Sequence, residues 1–269
     1  MTRIQETFEH LKRKRQRALI TYITAGDPDP DTTGALLRCL VDSGADMIEL
    51  GIPFSDPMAD GPTIQAASQR ALQHPFSMDR VFELVRRMRT YCETPVILFG
   101  YYNPFLQYGL DRLCKDAQTA GADALLVVDL PPEEAGALHQ AARCHQLDMI
   151  FLLAPTSTPA RMKLVASMAS GFIYYVSVTG VTGARDRLAE AMDKACTRIR
   201  RYTDLPIGIG FGVSRPEHVR AIAQYADAVI VGSALIKIIE SRIGKTDMKN
   251  RVAQFVRSLK QATQINGTS

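Results

Sequence analysis

Position 49 is a glutamate inside an otherwise apolar run, Met47-Ile48-Glu49-Leu50-Gly51, with no lysine, arginine or histidine beside it to pair with. Withdrawal from water disfavours the charged form of a carboxyl. Its pKa should therefore rise toward neutrality, where one group can both give and take a proton. The same residue could instead be a structural carboxylate bonded to neighbouring strands. The next segment, Pro53-Phe54-Ser55-Asp56-Pro57-Met58-Ala59-Asp60-Gly61-Pro62, is long and polar for a turn and holds two more carboxylates, Asp56 and Asp60. Either could do acid/base work, and either could be a turn former, because aspartate before proline or glycine is common in turns.

Glycine-rich stretches suggest a second kind of chemistry. Gly208-Ile209-Gly210-Phe211-Gly212-Val213-Ser214 and Gly232-Ser233 each follow an apolar run, and the second opens a short helical pattern. Backbone N–H groups at such loops and at a helix N-terminus can hold a phosphate, and glycine lets the backbone come close. Gly180-Val181-Thr182-Gly183 is a third such segment. Ser214-Arg215-Pro216-Glu217 also reads as a capping box, which gives Ser214 a structural role. No lysine lies in a predicted strand or at its end, which argues against a Schiff-base aldolase. His10, His74, His139, His145 and His218 fall in helical or helix-flanking segments, so no histidine metal site is expected.

The elements that position these groups are read from short apolar runs: Ala18 to Thr24, Met47 to Leu50, Val96 to Tyr101, Ala124 to Val128, Met149 to Leu153, Phe172 to Val178, Ile207 to Phe211 and Ala228 to Val231. Several are apolar on both faces, as a helix-covered parallel sheet requires, and helical patterns alternate with them. Ser43-Gly44-Ala45-Asp46, Ala120-Gly121-Ala122-Asp123 and Tyr225-Ala226-Asp227 are internal echoes, each closing a helix just before a strand, with Gly44 and Gly121 as left-handed helix stops. Pro95 and Pro206 mark helix-to-strand corners. A helix from Ser77 to Tyr91 turns Val81, Leu84, Val85 and Met88 inward and its arginines outward. Eight such units predict a single (β/α)8 TIM barrel, an α/β fold, over residues 1–269, with an extra N-terminal helix and a short phosphate-binding helix after strand eight. A doubly wound open sheet is the alternative, but no G-x-G-x-x-G follows the first strand. In a barrel, the site belongs at the C-terminal ends of the strands, which is where Glu49, Asp60 and the glycine loops fall.

Composition adds exclusions. The chain has 269 residues, 46% of them hydrophobic, enough for one large core, and its net charge of +4 has no basic stretch interleaved with aromatics to imply nucleic acid. The basic run Lys12 to Arg17 follows Thr2, Ile4, Gln5, Phe8 and Leu11, a capping box and an apolar stripe, and reads as the solvated end of a first helix. Cys39, Cys92, Cys114, Cys144 and Cys196 are odd in number and scattered, which fits a reducing cytoplasmic setting. No apolar run is long enough for a membrane span, so no membrane association is expected.

Glu49 to Gln65 (ELGIPFSDPMADGPTIQ) resembles the signature of the tryptophan synthase α chain family. It is joined by Thr24-Ala25-Gly26-Asp27-Pro28, Tyr101-Tyr102-Asn103-Pro104, Gly180-Val181-Thr182-Gly183-Ala184-Arg185 and Gly210-Phe211-Gly212, so the resemblance spans nearly the whole chain. Met58 departs from the usual leucine, a conservative change. The resemblance implies retro-aldol cleavage of indole-3-glycerol phosphate to indole and glyceraldehyde 3-phosphate. It implies Glu49 as the principal acid/base group and Asp60 as the carboxylate beside the indole N–H. Tyr22, Ile64, Phe99, Tyr101, Tyr174 and Thr182 match the substrate site, and Gly183, Phe211, Gly212, Gly232 and Ser233 the phosphate site. It further implies no metal and no cofactor in this chain, and an α2β2 complex with a β subunit carrying pyridoxal phosphate. Pro53, Asp56 and Asn103 would face that partner, with mobile lids around Asp56 and Thr182. The alternatives are another phosphate-binding barrel enzyme, such as a sugar-phosphate isomerase or indole-glycerol phosphate synthase, and a non-catalytic chain that only activates the β subunit. The length of the signature opposes the first, and the presence of Glu49 and Asp60 opposes the second.

Overall fold

A computed structural model describes residues 1–176, 185–210 and 212–265. In chain order the elements are α1 (Arg3–Arg13), β1 (Ala18–Thr24), α2 (Pro30–Asp42), β2 (Met47–Gly51), α3 (Pro62–Ala71), α4 (Met78–Arg89), β3 (Val96–Gly100), α5 (Tyr102–Tyr108), α6 (Leu110–Ala120), β4 (Ala124–Val127) and α7 (Gly136–Cys144). They continue as β5 (Asp148–Leu153), α8 (Pro159–Met168), β6 (Ile173–Val176), α9 (Arg185–Arg200), β7 (Ile207–Gly210), α10 (Pro216–Ala223), β8 (Ala228–Val231), α11 (Ser233–Glu240) and α12 (Met248–Gln261). Each strand pairs in parallel with the next and β8 returns to β1, so the expected barrel is closed. Strand ends differ from the sequence reading by a residue or two. Gly51 extends β2 and Asp148 begins β5, while Tyr101 and Val128 lie just beyond β3 and β4.

Alternation along the strands divides the buried residues into two sets. Ile20, Met47, Ile97, Leu126, Ile150, Phe172 and Ile230 fill the barrel interior, while Leu19, Ile23, Ile48, Leu50, Leu98 and Val229 pack outward against the helices. The amphipathic α1 belongs to the inner set: Ile4, Phe8 and Leu11 join it, and the Phe8 ring meets Phe172 edge-on at 6.0 Å. Its expected capping box is formed, with Thr2 accepting from the Gln5 N–H and donating to Asp148 at the start of β5. α1 therefore closes one end of the barrel, opposite the end that carries the glycine loops.

The internal echoes gain a physical reason at that closed end. Asp46, just before β2, accepts the Leu19 N–H of β1 at 2.7 Å and pairs with Lys260. Asp123, just before β4, accepts the Val96 N–H of β3 at 2.8 Å and pairs with Arg89 and Arg3. Asp227, just before β8, accepts the Ile207 N–H of β7 at 3.0 Å and pairs with Arg17 and Arg200. In each case a carboxylate accepts the first or second N–H of the preceding strand, and cations balance its charge. Arg89 corrects the expectation that the arginines of α4 face outward: its fork turns back to Asp123 and to the Thr94 and Gly121 carbonyls. The capping box at Ser214 does not form either, because Arg215 is the N-cap of α10 and no side chain caps it. Among the described residues no helix is long and apolar enough to cross a membrane.

Asp123→Ala should cost about 3–5 kcal/mol, since it takes the counter-charge from the nearly buried Arg89 and leaves the Val96 N–H without its acceptor. Thermal unfolding should shift down by on the order of 10 °C, with turnover per folded molecule unchanged because the change lies at the closed end. A melting temperature within a degree or two of the parent would contradict this account of the echoes.

Candidate functional site

Strand alternation carries the inner face upward to the open end of the barrel. Tyr22 and Thr24 of β1, Glu49 and Gly51 of β2, Phe99 of β3, Tyr174 of β6 and Gly210 of β7 lie on it, with Tyr101 just past β3 and Gly232 just past β8. In register, Tyr22 stands beside Glu49, and Gly51 beside Phe99.

Glu49 is 1% exposed, and among the described residues its Oε1 has no hydrogen-bond partner. Burial alone pushes its carboxyl up to about 8. The structural alternative, a carboxylate bonded to neighbouring strands, lacks the bonds it would need. Thr21 and Ser43 also carry unpaired buried hydroxyls, but a carboxyl costs more to bury and sits here at the catalytic end of the barrel, so Glu49 points to a substrate partner.

Two tyrosines wall this carboxyl by the same device. The Tyr22 ring of β1 leans over Gly51 of β2, where an added Cβ would come within 2.2 Å of the hydroxyl. The Tyr174 ring of β6 leans over Gly210 of β7, again with only 2.2 Å for a Cβ. A bare backbone on the second strand is what lets each ring lie flat across the barrel mouth. The Tyr22 hydroxyl lies 3.2 Å from Thr24 Oγ1, and its ring packs edge-on to Phe99 at 5.2 Å. Burial, followed by the nearby Glu49 and Asp60 charges, raises the Tyr174 hydroxyl well above its ordinary value. Burial, the Asp60 charge and the Glu49 charge do the same for Tyr22.

Asp60 sits on the long loop after β2, and Tyr101 positions it. The Tyr101 hydroxyl donates to Asp60 Oδ2 and accepts the Ala59 N–H, both at 3.0 Å, while its ring lies 5.3 Å from that of Phe54. From α3, the Gln65 amide donates to the Asp60 carbonyl at 2.9 Å and to the Pro57 carbonyl at 3.4 Å. Desolvation raises the Asp60 pKa, and the Tyr101 bond opposes it. Ile64 is buried on α3 directly below the loop.

Around the mouth, Gly212 has a φ of 39°, and Gly232 is the N-cap of α11, whose first residue, Ser233, is exposed. The structure thus brings together Glu49, Asp60, Tyr22, Phe99, Tyr101 and Tyr174. Thr182, Gly183 and Phe211 lie outside the described residues. Of the residues expected to face a partner, Asp56 and Asn103 are exposed whereas Pro53 is buried. Met58 beside them is 92% exposed, and Leu106 of α5 is also exposed. Among the described residues no three of His, Cys, Asp and Glu gather where a metal could sit.

Thr24, Gly51, Gly210 and Gln65 contribute individually without standing out in the sequence. The strand period of two held the signal for the first three, since Thr24 and Gly51 share a face with Tyr22 and Glu49. Nothing local marks Gln65, whose role depends on where the loop folds back.

A family model described as tryptophan synthase alpha chain matches residues 8–264. The tryptophan synthase alpha chain of Geobacter sulfurreducens is 50% identical over 262 residues, covering 97% of this chain and 99% of that one. That of Geotalea uraniireducens is 50% identical over 267 residues, covering 99% and 100%. Among solved structures, tryptophan synthase subunit alpha from Legionella pneumophila superimposes with a TM-score of 0.91 at 43% identity over 98% of both chains. A structure of tryptophan synthase from M. tuberculosis gives 0.89 at 33% identity, over 99% of this chain and 100% of that one.

The buried carboxyl makes stability depend on pH. The folded protein binds the Glu49 proton more tightly than the unfolded chain, whose glutamate titrates near its ordinary value of 4.5. The stability this contributes is complete below that value and is lost as pH rises toward about 8. Glu49→Gln cannot ionise, so it should gain on the parent as pH rises, by on the order of 3–5 kcal/mol in all. Urea unfolding of both proteins at pH 5 and pH 9 measures the change. A difference between them that stays constant across that range would mean that Glu49 is already ionised when folded.

Proposed function

Because the chain belongs to the tryptophan synthase alpha chain family, whose alpha reaction is the cleavage of indole-3-glycerol phosphate to indole and glyceraldehyde 3-phosphate, we propose that Glu49 and Asp60 carry that reaction here. The protein is a carbon-carbon lyase acting in tryptophan biosynthesis. The non-catalytic alternative has no observation in its favour.

The observation that carries the assignment is the unpaired, buried Glu49, whose carboxyl is mostly neutral at pH 7. Indole leaves poorly as a carbanion, so C3 must first gain a proton. Glu49 supplies it, and the positive charge that develops spreads to the ring nitrogen. Asp60, held by Tyr101, accepts the indole N–H and stabilises that charge. Glu49 is now a carboxylate and takes the proton of the side-chain hydroxyl. The electrons of that O–H bond form the aldehyde, those of the breaking carbon–carbon bond restore the indole ring, and Glu49 is again neutral. One group thus gives and takes one proton per turnover, a task suited to a pKa near the working pH. Tyr22, Phe99 and Ile64 form the apolar wall for the ring, while Tyr174 stands over Glu49. The phosphate goes to Gly212, Gly232 and Ser233 at the start of α11, together with Gly183 and Phe211, and Thr182 completes the substrate site.

The family implies a β-subunit partner. The α2β2 stoichiometry, a pyridoxal phosphate confined to that partner, a single-domain chain and a cytoplasmic setting are further parts of the proposal. Asp56, Asn103 and the exposed Met58 and Leu106 support a partner surface on the loop after β2 and on α5. Pro53, buried at the start of that loop, would lie toward the partner behind the exposed residues.

Incubation of the purified chain with indole-3-glycerol phosphate, while indole release is followed, tests the assignment. Glu49→Gln should cut turnover by at least ~10²-fold, the usual scale for losing a general acid/base group, and still bind inorganic phosphate. Near-normal turnover would sink the role given to Glu49. Asp60→Asn should also lose most activity with phosphate affinity intact, and a collapse of that affinity would instead make Asp60 a loop-positioning residue.

A further inference from the structure

α3 and α11 flank the loop that leaves β1, pack on one another, and begin at the two places a single substrate must reach. α3 follows the loop bearing Asp60 and grips it through Gln65. α11 opens at Gly232 and Ser233, the phosphate end in the reading above. At the far end of α3, one guanidinium joins three segments. Arg70 Nε donates to Asp27 Oδ1 at 2.7 Å and Nη2 donates to Asp27 Oδ2 at 3.0 Å, a bidentate fork on the β1 loop. Its Nη1 donates to Glu240 Oε1, on the last residue of α11, at 2.7 Å.

The setting is demanding for a simple surface ion pair. The Asp27 side chain is 1% exposed and that of Arg70 only 19%, so both charges have largely lost their water. A planar fork fixes distance and angle together, which a lysine cannot reproduce. The loop is held on its other sides as well. The Gly26 N–H donates to Thr33 Oγ1 at 3.0 Å, and Gly26 rests against Ala71, the residue after Arg70.

We propose that Arg70 is a positioning residue for the lyase reaction: it clamps α3 to the β1 loop and to α11, and so sets the separation between Asp60 and the phosphate-binding end of α11. The proposal rests on the functional reading of the mouth given above. Its consequence falls on ligands that touch both ends. For them, binding at one end presents the other at high effective concentration, an advantage that exists only while the two ends keep the right spacing. A ligand that occupies one end alone is indifferent to that spacing.

The test compares the parent with Arg70→Lys and Glu240→Gln, measuring kcat together with the affinity for inorganic phosphate, for indole, and for a non-cleavable indolyl-alkyl phosphate that spans both. Glu240 is about half exposed, so its variant keeps the fold even if Arg70→Lys does not. The expected result is a fall in kcat and in affinity for the spanning ligand of about 10-fold in Arg70→Lys and about 3-fold in Glu240→Gln, with inorganic phosphate and indole binding unchanged. Combining Glu240→Gln with Gln65→Ala should cost less than the product of the single losses, since both act through α3. Unchanged kcat and unchanged affinity for the spanning ligand in folded variants would overturn the proposal, as would equal weakening of inorganic phosphate and the spanning ligand. If the parent itself binds the spanning ligand no more tightly than inorganic phosphate, the reading of the mouth fails and the clamp falls with it.

Discussion

Taking a carboxyl out of water without giving it a hydrogen-bond partner is among the more expensive placements a fold can make, and Glu49 is so placed. The charged form bears nearly all of that penalty, so the site holds the group neutral near pH 7. Much of the surrounding structure serves to keep it so. Strands buried on both faces exclude water from below, and Tyr22 and Tyr174 lean inward over bare glycine backbone to exclude it from the sides. Among the described residues no cation approaches. A single arginine beside Glu49 would favour the carboxylate and leave no proton to give.

The closed end of the barrel shows the opposite treatment of the same chemistry. Asp46 and Asp123 are also largely withdrawn from water and Asp227 partly so, yet each meets a backbone N–H and at least one cation. Those carboxylates hold strands together, with both oxygens already engaged. Stability and chemistry are thus divided between the two ends of one barrel, and satisfaction of the carboxyl marks the division. Asp60 is intermediate: desolvated, but held by Tyr101, as suits a group that must stay in place while charge develops beside it.

What the sequence discloses follows from how local each cause is. Both-face burial of strands is written in runs such as Ala18 to Thr24 and Ala228 to Val231, so the barrel is legible from pattern alone. The isolation of Glu49 is legible too, because its strand neighbours are apolar and, among the described residues, the closed sheet brings no cation to it. The echoes before β2, β4 and β8 are visible as repeats, but their purpose is not: the N–H groups and cations they meet come from elsewhere in the chain. Arg89 fails as an outward residue for the same reason, since its partner Asp123 lies beyond the next two helices in sequence. Gln65 and Arg70 likewise act through a loop and a helix end that only the folded chain brings near. The roles of Asp60 and Tyr101 as a pair need the same closure, although each residue alone stands out in the family signature.

Everything proposed for the reaction depends on Glu49 carrying its proton at rest. Direct titration of that one group settles the matter: carbon-13 NMR of protein labelled at glutamate carboxyls, with the Glu49 resonance assigned by its absence in Glu49→Gln. The carboxyl signal should stay in its protonated position through pH 6 and move with a midpoint of about 8. A midpoint near the ordinary 4.5 would contradict it, because the resting enzyme would then have no proton at Glu49 to deliver.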